Sequence, residues 1–155
     1  MSERAPDELP EPGPPAAPQG RVLAAVAAGG ALGALARYGA LTLRPTAENG
    51  FPWTVLGVNA AGCALIGVLM VLTVERARVT RPLVRPFLGV GVLGGFTTFS
   101  TYAVDVAGLL ERQEVATALT YAAATVAAAL GAVAAAATAT RALLGRGARG
   151  GGRTG

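Results

Sequence analysis

The sequence predicts an all-α membrane protein of four transmembrane helices, the third of them broken, and three observations carry that prediction. Of 155 residues, 52% are hydrophobic and 14% charged, against about 25% charged in an ordinary soluble domain. The charge is also uneven: four of the nine acids (Glu3, Asp7, Glu8, Glu11) and six of the ten prolines fall within residues 1–20. Beyond them lie four apolar stretches, at about 22–43, 53–74, 83–110 and 115–140, each near or above the roughly 20 residues that cross a bilayer as helix.

The same composition excludes several function classes. With no histidine and one cysteine, the chain has no site that needs imidazole, a cysteine cluster or an internal disulfide. No acid/base pair, activated nucleophile or cofactor loop is visible, so no catalytic residue is assigned and no enzyme activity is expected. All thirteen basic residues are arginines, and no basic face repeats along a helix, which argues against nucleic acid as a partner.

Taken in order, residues 1–20 combine Pro6, Pro10, Pro12, Pro14, Pro15 and Pro18 with acids, too little apolar surface to offset the entropy of ordering, so a disordered tail is expected. An acidic tail before a long apolar run is the reverse of a secretory signal, and the first helix is expected to be retained. The membrane domain is expected over residues 21–144. Its first helix carries Gly29, Gly30, Gly33 and Ala34, its second Gly57, Ala60, Ala61, Gly62 and Gly67, and its fourth is almost continuous alanine. Lipid supplies no hydrophobic drive for helix association, so small residues that let backbones approach are the packing device. The connections are punctuated by Pro45 to Pro52 with Asn49 and Gly50, by Glu75 to Pro82 with its arginines, and by Glu111 to Glu114. Residues 145–155 are rich in glycine and arginine and read as a second disordered tail, within reach of anionic lipid.

Four spans set the N-terminus, the second connection and the C-terminus on one side of the membrane. That side carries Arg4, Arg21, Arg76, Arg78, Arg81, Arg85, Arg141, Arg146, Arg149 and Arg153; the other has Arg44 and Arg112, with Arg37 inside the first span. The positive-inside rule then predicts a multi-pass protein of the cell membrane with both termini cytoplasmic.

Polar groups inside the membrane are costly enough to be functional suspects. Arg37 reads equally as a snorkelling side chain and as a structural or electrostatic element near an anion path. Asn59, flanked by small residues, can hold a neighbouring helix or face a cavity and donate to an anion. Cys63 reads as a small buried hydrophobe. The third span is the unusual one: Gly94-Gly95-Phe96-Thr97-Thr98-Phe99-Ser100-Thr101-Tyr102 sets two glycines ahead of a run of hydroxyls and aromatics. Glycine pairs and β-branched threonines weaken a helix, and serine and threonine hydroxyls compete for its backbone, so a break near Gly94 to Thr98 is expected. In transporters such breaks turn carbonyl oxygens toward a cation, and carbonyls suit a hard ion such as sodium. Thr98, Ser100 and Thr101 supply donors, and Phe99 and Tyr102 supply electropositive ring edges. These residue types suit a small, strongly hydrated anion, without identifying it.

Three strings carry a resemblance: Gly29-Gly30-x-x-Gly33-Ala34-x-x-Arg37-Tyr38, Gly57-x-Asn59-x-x-Gly62-Cys63, and Gly91-x-x-Gly94-Gly95-Phe96-Thr97-Thr98-Phe99-Ser100-Thr101. Over roughly residues 22–140 the chain resembles the small four-helix fluoride channels, the CrcB or Fluc family. That resemblance implies an antiparallel dimer with two narrow fluoride pores along the subunit interface, passive export of fluoride, and a structural sodium held by main-chain carbonyls of Gly94 and Thr97. It also implies that Asn59 is the pore asparagine, that Phe99 and Tyr102 are the pore aromatics, and that Ser100 and Thr101 form the hydroxyl track; Arg37 matches a first-helix arginine.

Three residues depart from the family's pattern. Tyr102 stands where phenylalanine is usual, Ala103 where serine is common, and Asp105, expected in a vestibule, where glutamate is usual. They bear on conduction rate and on whether both pores work. The ten-to-two arginine bias further suggests a chain inserted one way only, pairing as a heterodimer with an oppositely oriented paralogue in place of a homodimer. Two rivals are a non-conducting or obligate heterodimer subunit of such a channel, and a small four-helix drug/proton antiporter. The antiporter needs a membrane-embedded carboxylate, for which Asp105 is the only candidate.

Overall fold

The computed structural model describes residues 18–46, 50–75 and 81–150. Most of the N-terminal tail, Asn49, the connection residues Arg76 and Arg78, and residues 151–155 lie outside the described residues.

Helix α1 (Gln19–Leu43) starts directly after Pro18, whose carbonyl accepts from the amides of Arg21 and Val22 at 2.9 and 3.3 Å. It stops at Arg44, because the residue before a proline is pushed out of the helical region and Pro45 follows. The return to α2 (Trp53–Glu75) is tied by the Thr54 hydroxyl, which donates to the Arg44 carbonyl at 2.6 Å. The last five residues of α2, Val71–Glu75, wind as a wider π-helical turn.

The third span, α3 (Arg85–Glu111), changes its winding twice. Arg85–Leu93 is π-helical, with Pro86 in the first turn, where its missing N–H removes no helical bond. One α-helical turn, Gly94–Phe96, follows. Thr97 (φ −76°, ψ 156°) and Thr98 (φ −146°, ψ 121°) are then extended, and helix resumes over Phe99–Glu111. The Thr98 hydroxyl caps this resumed segment by accepting from the Thr101 amide at 3.1 Å.

A three-residue link leads to α4 (Val115–Gly150), 36 residues long. Here Gln113 sits at φ 62°, its amide bonds Leu110 at 2.9 Å, and the Glu114 amide bonds Leu109 at 2.9 Å. That pair of crossed bonds is the Schellman ending, which satisfies the last carbonyls of α3 at the cost of a left-handed residue usually supplied by glycine. Beyond Gly145 α4 continues as helix to Gly150.

Four helices are therefore long and apolar enough to cross a bilayer, and every regular element among the described residues is helical. They pack as two pairs: α1 lies along the first half of α3, α2 lies along α4, and the second half of α3 rests on α4. The α1–α3 pair is backbone against backbone. A side chain at Gly29 would strike the Phe87 carbonyl, one at Gly33 the Val92 carbonyl, and one at Gly95 the Gly30 carbonyl. Gly67 does the same for the second pair, with the Val133 carbonyl of α4 only 2.6 Å from where its Cβ would stand. The core sits where α3 meets α4, at Leu109, Ala118 and Tyr121, with Phe51, Leu56, Tyr102 and Val106 against it. Elsewhere Leu23, Leu32, Leu35, Leu43, Leu65 and Leu130 are more than half exposed, as suits a bundle whose outer solvent is hydrocarbon.

Candidate functional site

The extended pair in α3 is held from outside. Asn59 on α2 donates through Nδ2 to the Thr98 carbonyl at 2.9 Å, and its Oδ1 accepts from the Thr98 amide at 2.8 Å. One side-chain amide thus replaces both bonds that a helical neighbour would have made, and the two-way clasp fixes which way the amide points. Gly62, one turn further along α2, makes the approach possible: a Cβ there would collide with the Thr97 methyl. A primary amide has two N–H groups, so the clasp leaves one of them outside it.

Redirecting these bonds also changes the carbonyls of the first half of α3. In a continuous helix the Gly94 carbonyl would accept from the Thr98 amide and the Thr97 carbonyl from the Thr101 amide. Here the first of these amides is taken by Asn59 and the second by the Thr98 hydroxyl. Both residues singled out in the sequence for main-chain oxygens therefore have their helical donors engaged elsewhere.

Around the clasp lies a cavity of about 310 Å³ walled by Asn59, Cys63, Thr97, Thr98, Phe99, Tyr102 and Thr125, with Ile66, Val126 and Ala129 completing it. The Thr98 hydroxyl donates to Thr101 Oγ1 at 2.9 Å and lies 3.3 Å from Ser100 Oγ, so the three hydroxyls form one connected cluster. The Phe99 and Tyr102 rings are 5.6 Å apart and tilted by 48°. Phe99 is 79% exposed, and Ser100 and Gly94 also face outward from the chain.

A second, smaller cavity of about 270 Å³ opens at the far end of α3, where Asp105 and Arg112 face Thr46, Gly50 and Pro52. Asp105 Oδ2 accepts from the Tyr121 hydroxyl of α4 at 3.2 Å. Tyr121 is fully buried and lines neither cavity, with its ring 5.5 Å from that of Tyr102 and 5.4 Å edge-on from Phe51, so it packs behind Tyr102 and Asp105. One turn along, the buried Thr125 hydroxyl lies beside the Tyr121 oxygen yet makes no well-formed hydrogen bond within the chain. Arg37 stands apart, half-buried on α1 and outside both cavity walls.

Six of the residues named from the sequence, Asn59, Cys63, Thr97, Thr98, Phe99 and Tyr102, thus line one cavity. Thr101 touches it through the hydroxyl cluster, while Ser100 and Gly94 point away from the chain and Asp105 belongs to the other cavity. Tyr121 and Thr125 were not singled out from the sequence. The signal was a four-residue spacing that puts both on one face of the alanine-rich helix.

The sequence also matches known proteins. Residues 24–149 match the family model described as CrcB-like protein, Camphor Resistance (CrcB). The chain is 58% identical over 107 residues to a Streptomyces coelicolor protein named fluoride-specific ion channel FluC 1, a match covering 69% of each chain. A Streptomyces avermitilis protein named fluoride-specific ion channel FluC 2 is 56% identical over 107 residues, or 69% of this chain and 67% of its own. One from Paracoccus denitrificans, named fluoride-specific ion channel FluC, is 50% identical over 96 residues, or 62% of this chain and 75% of its own. A family match over residues 24–149, with relatives 50–58% identical over about two thirds of the chain, makes the chain a member of the CrcB-like family, whose relatives named here are ion channels and not enzymes.

Proposed function

We propose that this chain is a fluoride-selective passive ion channel that exports fluoride from the cytoplasm and reduces its toxicity. The observation that carries this reading is the lining of the cavity around the clasp: neutral hydrogen-bond donors and aromatic edges, with no fixed cation. Fluoride is small and tightly hydrated, so a path must replace its water with donors at each step, yet a lysine or arginine in the wall would trap it. In that wall the second N–H of Asn59 and the ring edges of Phe99 and Tyr102 are groups of the required kind, the Thr101 hydroxyl adjoins it through Thr98, and the outward-facing Ser100 hydroxyl would serve where a second copy covers it. The names carried by the relatives point to the same ion.

The reading includes an antiparallel dimer with its pores at the subunit interface. Gly94, Phe99 and Ser100 face outward at mid-span, and polar groups left toward hydrocarbon cost several kcal/mol each. A second copy, or an oppositely oriented paralogue, that covers this strip removes the cost and gives each pore its second wall. A structural sodium at the dimer centre belongs to the same reading. Neutral main-chain oxygens suit that ion, and the Gly94 and Thr97 carbonyls, whose helical donors are engaged elsewhere, would hold it. Bound there, the ion would supply fixed positive charge that holds the two extended segments together.

The arginine bias favours one specific form of the dimer. Arg21, Arg81, Arg85 and Arg141 gather at one end of the bundle and Arg44 and Arg112 at the other, which supports a single orientation, both termini cytoplasmic, and an obligate partner of opposite topology. Fluoride efflux from liposomes holding the purified chain alone, read with a fluoride electrode against a chloride control, tests both statements. Fast, fluoride-selective efflux supports the channel and rejects the obligate partner. Silence that an oppositely oriented paralogue relieves supports the heterodimer, and silence with that partner present rejects conduction.

A further inference from the structure

The end of the bundle that gathers arginine also carries a groove that shares only Ile66 with the cavity around the clasp. It lies between α2 and the first half of α3 and measures about 530 Å³. The two helices diverge there because each is committed to a different partner, α2 to α4 and the start of α3 to α1. Both are also π-helical at this end, over Val71–Glu75 and Arg85–Leu93, a wider winding that recurs at functional positions. The walls are apolar, from Ile66, Leu69 and Met70 on one side and Gly89 and Val90 on the other, and Arg85 stands at the mouth. Gly89 sets the width, since a Cβ there would stand 3.3 Å from Leu69 Cδ2.

The charges at this mouth are unbalanced. Glu75 is gripped at both oxygens by Arg141, at 2.8 and 2.6 Å. Among the described residues Arg81 and Arg85 are exposed and neither forms an ion pair. An apolar trough ending at the membrane surface in the Arg85 guanidinium, which has no ion-pair partner among the described residues, is complementary to an amphiphile with an anionic head. The trough runs from the level of Thr73 to that of Ile66, seven helical rises or roughly 10 Å, a depth within the roughly 15 Å of hydrocarbon that one leaflet offers. We infer that this groove binds one anionic phospholipid, with an acyl chain along Gly89 and Leu69 and the phosphate against Arg85. A free phosphate would leave the walls unfilled, and a zwitterionic lipid would bring its own positive charge to the arginines. The inference is independent of which ion the channel conducts.

Native mass spectrometry of the purified full chain, with phosphatidylglycerol or phosphatidylcholine of the same acyl chains added, tests it. The unmodified chain is expected to retain phosphatidylglycerol at collision energies that strip phosphatidylcholine. Arg85→Gln is expected to lower phosphatidylglycerol retention about fivefold, the effect of one arginine facing an anionic lipid. Arg85→Lys restores most of it, and Arg21→Gln, at the same end but outside the groove, changes nothing. Gly89→Leu, which fills the trough, lowers retention of both lipids. Equal retention of the two lipids by the unmodified chain overturns the inference, as does an equal loss from Arg21→Gln and Arg85→Gln, which would mean diffuse charge. It also fails if Gly89→Leu shifts the subunit stoichiometry while lipid retention holds, because the groove would then be a contact between copies.

Discussion

At the scale of single residues, one amide carries much of the local structure. Asn59 supplies the donor and the acceptor that Thr98 would otherwise lack, and a buried backbone group left unpaired costs about 1–3 kcal/mol. Asn59→Ala is therefore expected to destabilise the protein by about 2–4 kcal/mol, seen as a lowered unfolding temperature in detergent, and to abolish fluoride efflux from liposomes. Unchanged stability would mean that the clasp is dispensable. Sequence reading left Asn59 open between holding a helix and facing a cavity; the geometry lets it do both, since a primary amide has a second N–H. The pairing with Thr98 was not legible because the partners are 39 residues apart and the bond is to backbone, which carries no sequence signature.

At the scale of elements, glycine decides which helices touch. Gly33 and Gly131 are both helical glycines, yet a Cβ at Gly33 would meet the Val92 carbonyl while one at Gly131 meets nothing within 4 Å. Backbone cannot rotate away as a side chain can, so Gly33→Val is expected to cost about 3 kcal/mol and Gly131→Ala to stay within about 0.5 kcal/mol; comparing their melting curves checks the contrast. The α3–α4 link gives a prediction of the opposite sign. Gln113 holds a left-handed conformation that glycine adopts without strain, so Gln113→Gly is expected to stabilise by about 0.5–1 kcal/mol; a fall in melting temperature would show that its side chain matters more than its backbone. The spans themselves were legible, because length and hydropathy are local properties. Which span lies on which was not: the small residues of all the helices look alike in sequence, and only the facing backbone separates Gly29, Gly33 and Gly95 from glycines that meet open space.

At the scale of the whole molecule, the outward-facing strip of Gly94, Phe99 and Ser100 would tie stability to assembly if a second copy covers it, as proposed above. If main-chain carbonyls of Gly94 and Thr97 hold a sodium between two copies, replacing sodium by a large organic cation is expected to lower both the unfolding temperature and the dimer fraction measured by light scattering, and returning sodium is expected to restore them. Binding of this kind stabilises by mass action, so the shift should grow with the logarithm of sodium concentration. A dimer indifferent to the cation would remove sodium from the account while leaving the interface in place.

The sequence by itself determined the membrane class, the four apolar spans and the stretch from Gly94 to Tyr102 as the chemically unusual one, because composition, hydropathy and local backbone preference act within a few residues of chain. The tertiary structure decided that Asn59 reaches across to Thr98, that Thr125 of α4 joins the cavity wall with Tyr121 packed behind it, and that Arg37 stays apart from it. Those are distances between helices, and helices in hydrocarbon choose their neighbours by how closely two backbones fit, a quantity that exists only once both are in place.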